Sequence, residues 1–217
     1  MLTAWHLAVL AAWLVLPFVL AGSIAWPPGW LYLAIVIGAA LAEDRFVTRK
    51  NPELKRRRKQ IGHGTKAWDL AWNFLFWPLM ASMAIVAGAQ ARVAALSWWW
   101  WPVGLALAAA GFTLSAWAMG ENPYFEGTAR IQTEVGHQVF AGGPYRYVRH
   151  PGYLGLVLWA LGSPFLLLST SSFVPAVATA VWIAFRTVLE DRMLRRELPG
   201  YAEYARRTRA RMIPGVW

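Results

Sequence analysis

The chain contains no cysteine. Disulfides, a thiol nucleophile and thiolate metal sites are therefore excluded, and the redox compartment is left open. Charge is scarce as well. Asp, Glu, Lys and Arg make up 15% of the 217 residues, against about a quarter in ordinary soluble domains. No Gly-x-Gly-x-x-Gly or Walker-type loop is present, which argues against a Rossmann or P-loop nucleotide site. No Gly-x-Ser-x-Gly elbow points to a serine hydrolase. The His, Asp and Glu residues show no metal-ligand spacing, so no metal site is expected. Internal repeats and low-complexity tracts are also missing. The length suits one bundle, residues 1–217 as a single membrane domain, with no room for a separate soluble unit.

What is present is hydrophobic, 58% of residues, and it is arranged in long uncharged runs between dense charged loops. That alternation marks an all-α integral membrane protein. The runs predict about six transmembrane helices, at 5–25, 31–42, 68–89, 98–120, 153–169 and 173–189. Trp26-Pro27-Pro28-Gly29-Trp30 is a tight turn with interfacial tryptophans, so the first two helices read as a hairpin. Residues 43–66 read as a charged loop held against anionic headgroups, with Lys55-Arg56-Arg57-Arg58-Lys59 at its centre. No aromatic platform accompanies this basic run, so nucleic acid is not an expected partner. Asp69 and Asn73 lie four apart near the start of the third helix, where polar groups face headgroups. Trp98 to Trp101 form an aromatic belt.

Four helices thus occupy residues 1–120. A polar loop, a helical hairpin and a charged tail, helical to about residue 211, fill residues 121–217. With six spans, 20 of the 21 Lys and Arg residues fall on one side, and only Arg92 falls on the other. The positive-inside rule makes the rich side cytosolic, with both termini and the tail there. The high Ala, Arg and Trp usage points to a bacterial inner membrane.

One stretch is too polar and too rigid to be a plain connector. Gly143-Pro144-Tyr145-Arg146-Tyr147-Val148-Arg149-His150-Pro151-Gly152-Tyr153-Leu154-Gly155 stands at the mouth of an apolar helix. Its prolines stiffen the backbone, and its glycines let a ligand or another helix come close. The C-terminal hairpin returns Arg186 and Glu190 to the depth of Arg149 and Tyr153. Arg186 and Glu190, four apart, share a helical face. Ionisable residues at the end of a span are a site hypothesis by default.

This stretch resembles the signature of the isoprenylcysteine carboxyl methyltransferase family and its membrane relatives, the phospholipid methyltransferases among them. Gly136-His137 fits upstream of it. Glu190-Asp191-Arg192-Met193-Leu194, then Tyr201 and Tyr204, resemble the family's tail. The likeness covers roughly residues 121–211, and the first three helices match in character only. Asp191 stands where many relatives carry a second glutamate, and Glu197-Leu198-Pro199-Gly200 departs from the usual Phe-Gly form.

The resemblance implies S-adenosyl-L-methionine as cofactor and a lipophilic or prenylated substrate that enters laterally from the membrane lipids. It implies that His137, Tyr145, His150, Pro151, Tyr153, Gly155, Arg186 and Glu190 surround the cofactor. Arg149 and Glu190 would be the catalytic pair. In that role Arg149 orients a substrate carboxylate, while Glu190 braces the arginine or binds the cofactor's amino group. Carboxyl O-methylation of an isoprenylcysteine-like acceptor is the leading reading. Phospholipid or amine N-methylation is the alternative within the class. Because membrane sterol reductases carry a similar Arg-His-Pro-x-Tyr, NADPH-dependent reduction of a sterol or isoprenoid is the alternative outside it.

Overall fold

The structure is a computed structural model, and it describes residues 4–57, 63–92 and 96–217. Arg58 and Lys59 of the basic run lie outside the described residues. Among the described residues there is no strand. Eight α-helices follow one another: α1 (Ala4–Ala21), α2 (Pro27–Lys50), α3 (Pro52–Arg57), α4 (Ala67–Ala89), α5 (Trp101–Glu121), α6 (Pro151–Leu166), α7 (Phe173–Glu197) and α8 (Tyr201–Arg207). The stretches Ala67–Ala89, Trp98–Glu121 and Phe173–Glu197 are long and apolar enough to cross a membrane, and Leu10–Ala21 and Pro151–Leu166 are shorter apolar helices. With α2 they occupy the positions of the six expected spans, which makes this a multi-pass membrane protein. Trp99 at the start of the fourth span is 89% exposed, as a belt residue should be.

Two expectations about the N-terminal half need correction. Residues 43–50 are helical, because α2 runs on to Lys50 instead of ending near residue 42. Glu, Arg and Lys are good helix formers, so leaving the apolar zone is no reason to unwind. The helix stops one residue before Pro52, with Asn51 at φ −143°, since a residue preceding proline is driven out of the α region. The first two helices also meet less than a hairpin implies, through Phe18 on Trp26 and Trp30 and Trp13 on Tyr32. Few contacts join them; α1 packs along α4 and α2 along α5. Gly88 makes the first of these packings possible, because a Cβ there would lie 2.1 Å from Pro17 O.

The tightest packing in the bundle joins α5 to α6. Gly104, Ala108, Gly111, Ser115 and Ala118 form a buried stripe of small residues on α5. Gly152, Gly155 and Gly162 answer it on α6. A Cβ on Gly155 would lie 2.5 Å from Ser115 Oγ and 2.6 Å from Gly111 O, so the two backbones are in contact there. Without a hydrophobic drive between helices in lipid, such close approach is what holds a pair together. It also fixes the signature stretch, which leads directly into α6.

The C-terminal hairpin, α6 with α7, is present as expected. The tail differs from the expectation. Leu198 to Gly200 break it, with Gly200 at φ +81°, and α8 ends at Arg207 instead of near residue 211. The turn folds α8 back toward the signature stretch, where Tyr204 donates its hydroxyl to Tyr145 O at 2.7 Å.

Candidate active site

Pro151 sits in the first turn of α6, where its fixed φ suits a helix start and its missing N–H costs nothing. The residues before it are pinned by the end of the chain. Arg149 N donates to Ala210 O at 3.0 Å and His150 N to Arg211 O at 2.8 Å. The Arg149 guanidinium forks onto Asp191, Nε to Oδ1 at 2.7 Å and Nη2 to Oδ2 at 3.1 Å. Its Nη1 donates to Thr208 O and Arg209 O, both at 2.7 Å. Burial works against the charge on Arg149, but the Asp191 carboxylate outweighs it and raises the guanidinium above its ordinary value.

Asp191 is the hub of this corner. It also accepts from Tyr201 Oη at 3.1 Å, Arg195 Nε at 3.0 Å and Arg211 Nε at 3.3 Å, and it lies 3.4 Å from His150 Nε2. Burial pushes the Tyr201 hydroxyl well up, so it stays a neutral donor. Arg149 is therefore braced by Asp191 and not by Glu190. Glu190 points elsewhere: Tyr153 Oη donates to its Oε2, and Arg186 Nε stands 3.7 Å from the same oxygen.

A cavity opens between the loop after α5, the start of α6, α7 and α8. Of the residues named from sequence, it brings together His137, Tyr145, Arg149, His150, Tyr153 and Glu190. Pro151, Gly155 and Arg186 are not in its wall. Gly155 faces α5 as described. Arg186 lies behind the wall with its guanidinium 4.4 Å from the ring of Trp72. Nine of the lining residues carry rings, with Tyr124 stacked on His137 at 4.6 Å and His150 on Tyr153 at 5.6 Å.

The loop that caps the cavity is stiffened by groups that sequence patterns did not single out. Gln132, 2% exposed, donates Nε2 to Tyr124 O at 2.7 Å and accepts from Arg57 Nη1 at 3.3 Å. Arg130 is clasped by Glu126 at 2.8 Å and by Glu134. The Arg130 hydrogen bond holds the Glu134 carboxyl down at about 2. Burial, with help from Arg130, keeps the His137 imidazole below its ordinary value, while Glu190 and Glu134 oppose this. His137 Nδ1 accepts from Gln132 N at 3.4 Å, which suits the neutral ring.

Asp69 corrects a further expectation. It is not at the headgroups but fully buried at the α4–α7 contact. It accepts from Ala129 N at 2.8 Å and lies 2.9 Å from Arg186 Nε, close but without hydrogen-bond alignment. The available signal was an arginine deep in α7, which demands a buried partner. Among the described residues no group of three or more His, Asp or Glu is placed to hold a metal.

Fold and site together define a multi-pass helical membrane protein with an aromatic, charged cavity at one end of its bundle. Comparison with known proteins narrows this. Residues 104–196 match the isoprenylcysteine carboxyl methyltransferase (ICMT) family. Protein-S-isoprenylcysteine O-methyltransferase B of Arabidopsis thaliana is 31% identical over 114 residues, 51% of this chain and 57% of that protein. An Oryza sativa subsp. indica protein named "Probable protein-S-isoprenylcysteine O-methyltransferase" is 36% identical over 86 residues, 38% of this chain and 44% of that protein. The chain thus spans about half the length of these curated relatives. A solved structure of a eukaryotic intramembrane Ras methyltransferase, isoprenylcysteine carboxyl methyltransferase, superposes with a TM-score of 0.58 at 20% identity. It covers 96% of this chain and 75% of that one. The likeness to the family is present in sequence over the C-terminal half and in fold over nearly the whole chain.

Proposed function

We propose that the chain is an S-adenosylmethionine-dependent methyltransferase. It esterifies the carboxylate of a lipophilic, isoprenylcysteine-like acceptor at the cytosolic side of a membrane. The observation that carries this reading is Glu190. Its carboxylate lines the cavity with Oε2 held by Tyr153, while Oε1 has no protein partner among the described residues. A carboxylate among Tyr, Phe and His rings suits a positively charged ligand. Gln132 and Asn122 beside them supply amide groups. That set fits a cofactor bearing a sulfonium, an ammonium and a flat base, with Glu190 on the cationic part and the rings against the base.

When bound, the cofactor supplies a methyl group on positively charged sulfur, and its transfer to a carboxylate oxygen leaves a methyl ester and a neutral thioether. Because a carboxylate is already ionised at pH 7, neither His137 nor His150 has to take a proton. The protein's work is alignment and exclusion of water. Tyr153 orients Glu190. Arg149 lies in the wall where an acceptor carboxylate arrives, but its guanidinium is already held by Asp191 and the tail carbonyls, so it shapes that wall instead of supplying a free charge. Tyr124, His137 and Gln132 close the cavity from above.

The test uses the purified full chain in nanodiscs, a methyl-labelled cofactor and an N-acetylated S-farnesylcysteine. Label is expected in the acceptor as a base-labile ester. Binding of NADPH without binding of S-adenosylhomocysteine would overturn the reading, and label on a lipid amine would move it to N-methylation.

A further inference from the structure

Asp69 belongs to α4, outside residues 104–196 that match the family. It faces Arg186 across the α4–α7 contact at 2.9 Å, and Glu190 lies on the other side of the same guanidinium at 3.7 Å. Arg186 is closed in by Trp72 and Tyr153 and donates Nη2 to Gly127 O at 3.1 Å. One cation therefore stands between two carboxylates in an apolar bundle. The nearer one, Asp69, is 0% exposed, and the farther one, Glu190, is 20% exposed and lines the cavity.

Resting on the cofactor reading above, we propose that Asp69 is a positioning residue. It satisfies the charge of Arg186 and so leaves the Glu190 carboxylate uncompensated toward the cavity, where it favours the sulfonium cofactor over the neutral thioether product. Without the Asp69 charge, Arg186 has Glu190 as its remaining counter-ion, because a guanidinium in this environment must be paired. Glu190 is then drawn toward α4 and its charge is cancelled. Arg186 is in turn the bridge through which a residue of the N-terminal half acts on the cavity.

The test is the ratio of S-adenosylmethionine to S-adenosylhomocysteine affinity, read by calorimetric titration of the purified full chain. Asp69→Asn keeps an acceptor for Ala129 N, and it replaces the charged oxygen facing Arg186 with a neutral NH2. It is expected to weaken S-adenosylmethionine about tenfold more than S-adenosylhomocysteine, a usual size for coupling within one charge network. Arg186→Gln is expected to move the ratio the opposite way. The double variant Asp69→Asn, Arg186→Gln should return it to the wild-type value, and it leaves no buried charge unpaired if the single Asp69 variant fails to accumulate. Equal weakening of both ligands in Asp69→Asn, or an unchanged ratio in Arg186→Gln, overturns the inference while leaving the cofactor reading intact. Failure of the wild-type chain to bind either ligand overturns the cofactor reading itself, and the inference with it.

Discussion

Arg149 and Asp191 meet through two N–H···O bonds of 2.7 and 3.1 Å across 42 residues of sequence, and each side chain is 1% exposed. This fork ties the start of α6 to the last third of α7, and through Arg149 Nη1 it also ties down the segment after α8. A bidentate Arg–carboxylate pair fixes orientation as well as distance. Three walls of the cavity are thereby set relative to one another by one residue pair.

Breaking that pair should loosen the tail. Asp191→Asn leaves Arg149 buried without its counter-ion, a change that costs about 3–5 kcal/mol when one partner of a buried pair is removed. Asp191→Asn should lower the thermal midpoint and expose the chain beyond Arg207 to limited proteolysis. Glu190→Gln should melt like the parent yet lose methyl transfer, since Glu190 is not part of the fork. If both variants melt alike, the division between a structural Asp191 and a functional Glu190 is wrong.

Much of this was legible in the residues, for a definite reason. Apolar runs report spans directly, because lipid leaves the backbone no alternative to a helix. The Gly-Pro-rich stretch before α6 reported its own rigidity. Packing partners were less visible: residues 26–30 read as a hairpin turn, whereas residues 27–30 begin α2 and α1 packs chiefly along α4, through the close approach of Gly88 to Pro17. No periodicity encodes that choice. Adjacent acids are also hard to tell apart in a sequence. Glu190 and Asp191 sit about 100° apart around one helix, so one meets the cavity and the other the Arg149 fork. The buried Asp69–Arg186 pair needed three dimensions, since 117 residues separate its members.

The glycine seam of α5 and α6 should be intolerant of a single methyl group. Gly155→Ala would place its Cβ 2.5 Å from Ser115 Oγ and 2.6 Å from Gly111 O. Backbone cannot swing aside as a side chain can, so the helices must separate. Overpacking of this kind costs about 1–3 kcal/mol. Thermal unfolding in detergent should fall accordingly, and cofactor affinity should drop with it because α6 carries Tyr153. The same change at Gly38 or Gly127, where a Cβ meets nothing within 4 Å, should not lower the midpoint, and at Gly38, inside α2, it should raise it slightly.

The cap of the cavity should be acid-sensitive. His137 is held below its ordinary value of 6.5, chiefly by burial. A base whose folded-state value is depressed contributes stability that is complete above its unfolded value and is lost as pH falls through the folded one. Protonation also ends the Gln132 N to His137 Nδ1 contact. Thermal midpoints should therefore decline below about pH 6.5, and His137→Gln should flatten that part of the profile. Glu134 acts in a lower window, its contribution present above 4.5 and fading toward about 2. Parallel profiles for the parent and His137→Gln would exclude His137 as the source.

Tyr153 offers the finest test of how Glu190 is aimed. Its hydroxyl donates to Glu190 Oε2, its ring stacks on His150, and the ring also lies 5.3 Å from the Arg186 guanidinium. Tyr153→Phe keeps both ring contacts and removes only the hydroxyl. Leaving a partly buried carboxylate short of one donor costs about 1–3 kcal/mol. Part of that cost is recovered if Arg186 draws closer to Glu190. The variant should therefore bind S-adenosylmethionine about tenfold more weakly, with its thermal midpoint lowered only by the part of that cost not recovered, because the packing is intact. Tyr153→Leu removes the ring as well and should lose both affinity and stability. Should Tyr153→Phe bind as tightly as the parent, the orientation of Glu190 must be set by Arg186 alone, and the Asp69–Arg186 pair would carry the whole of its positioning.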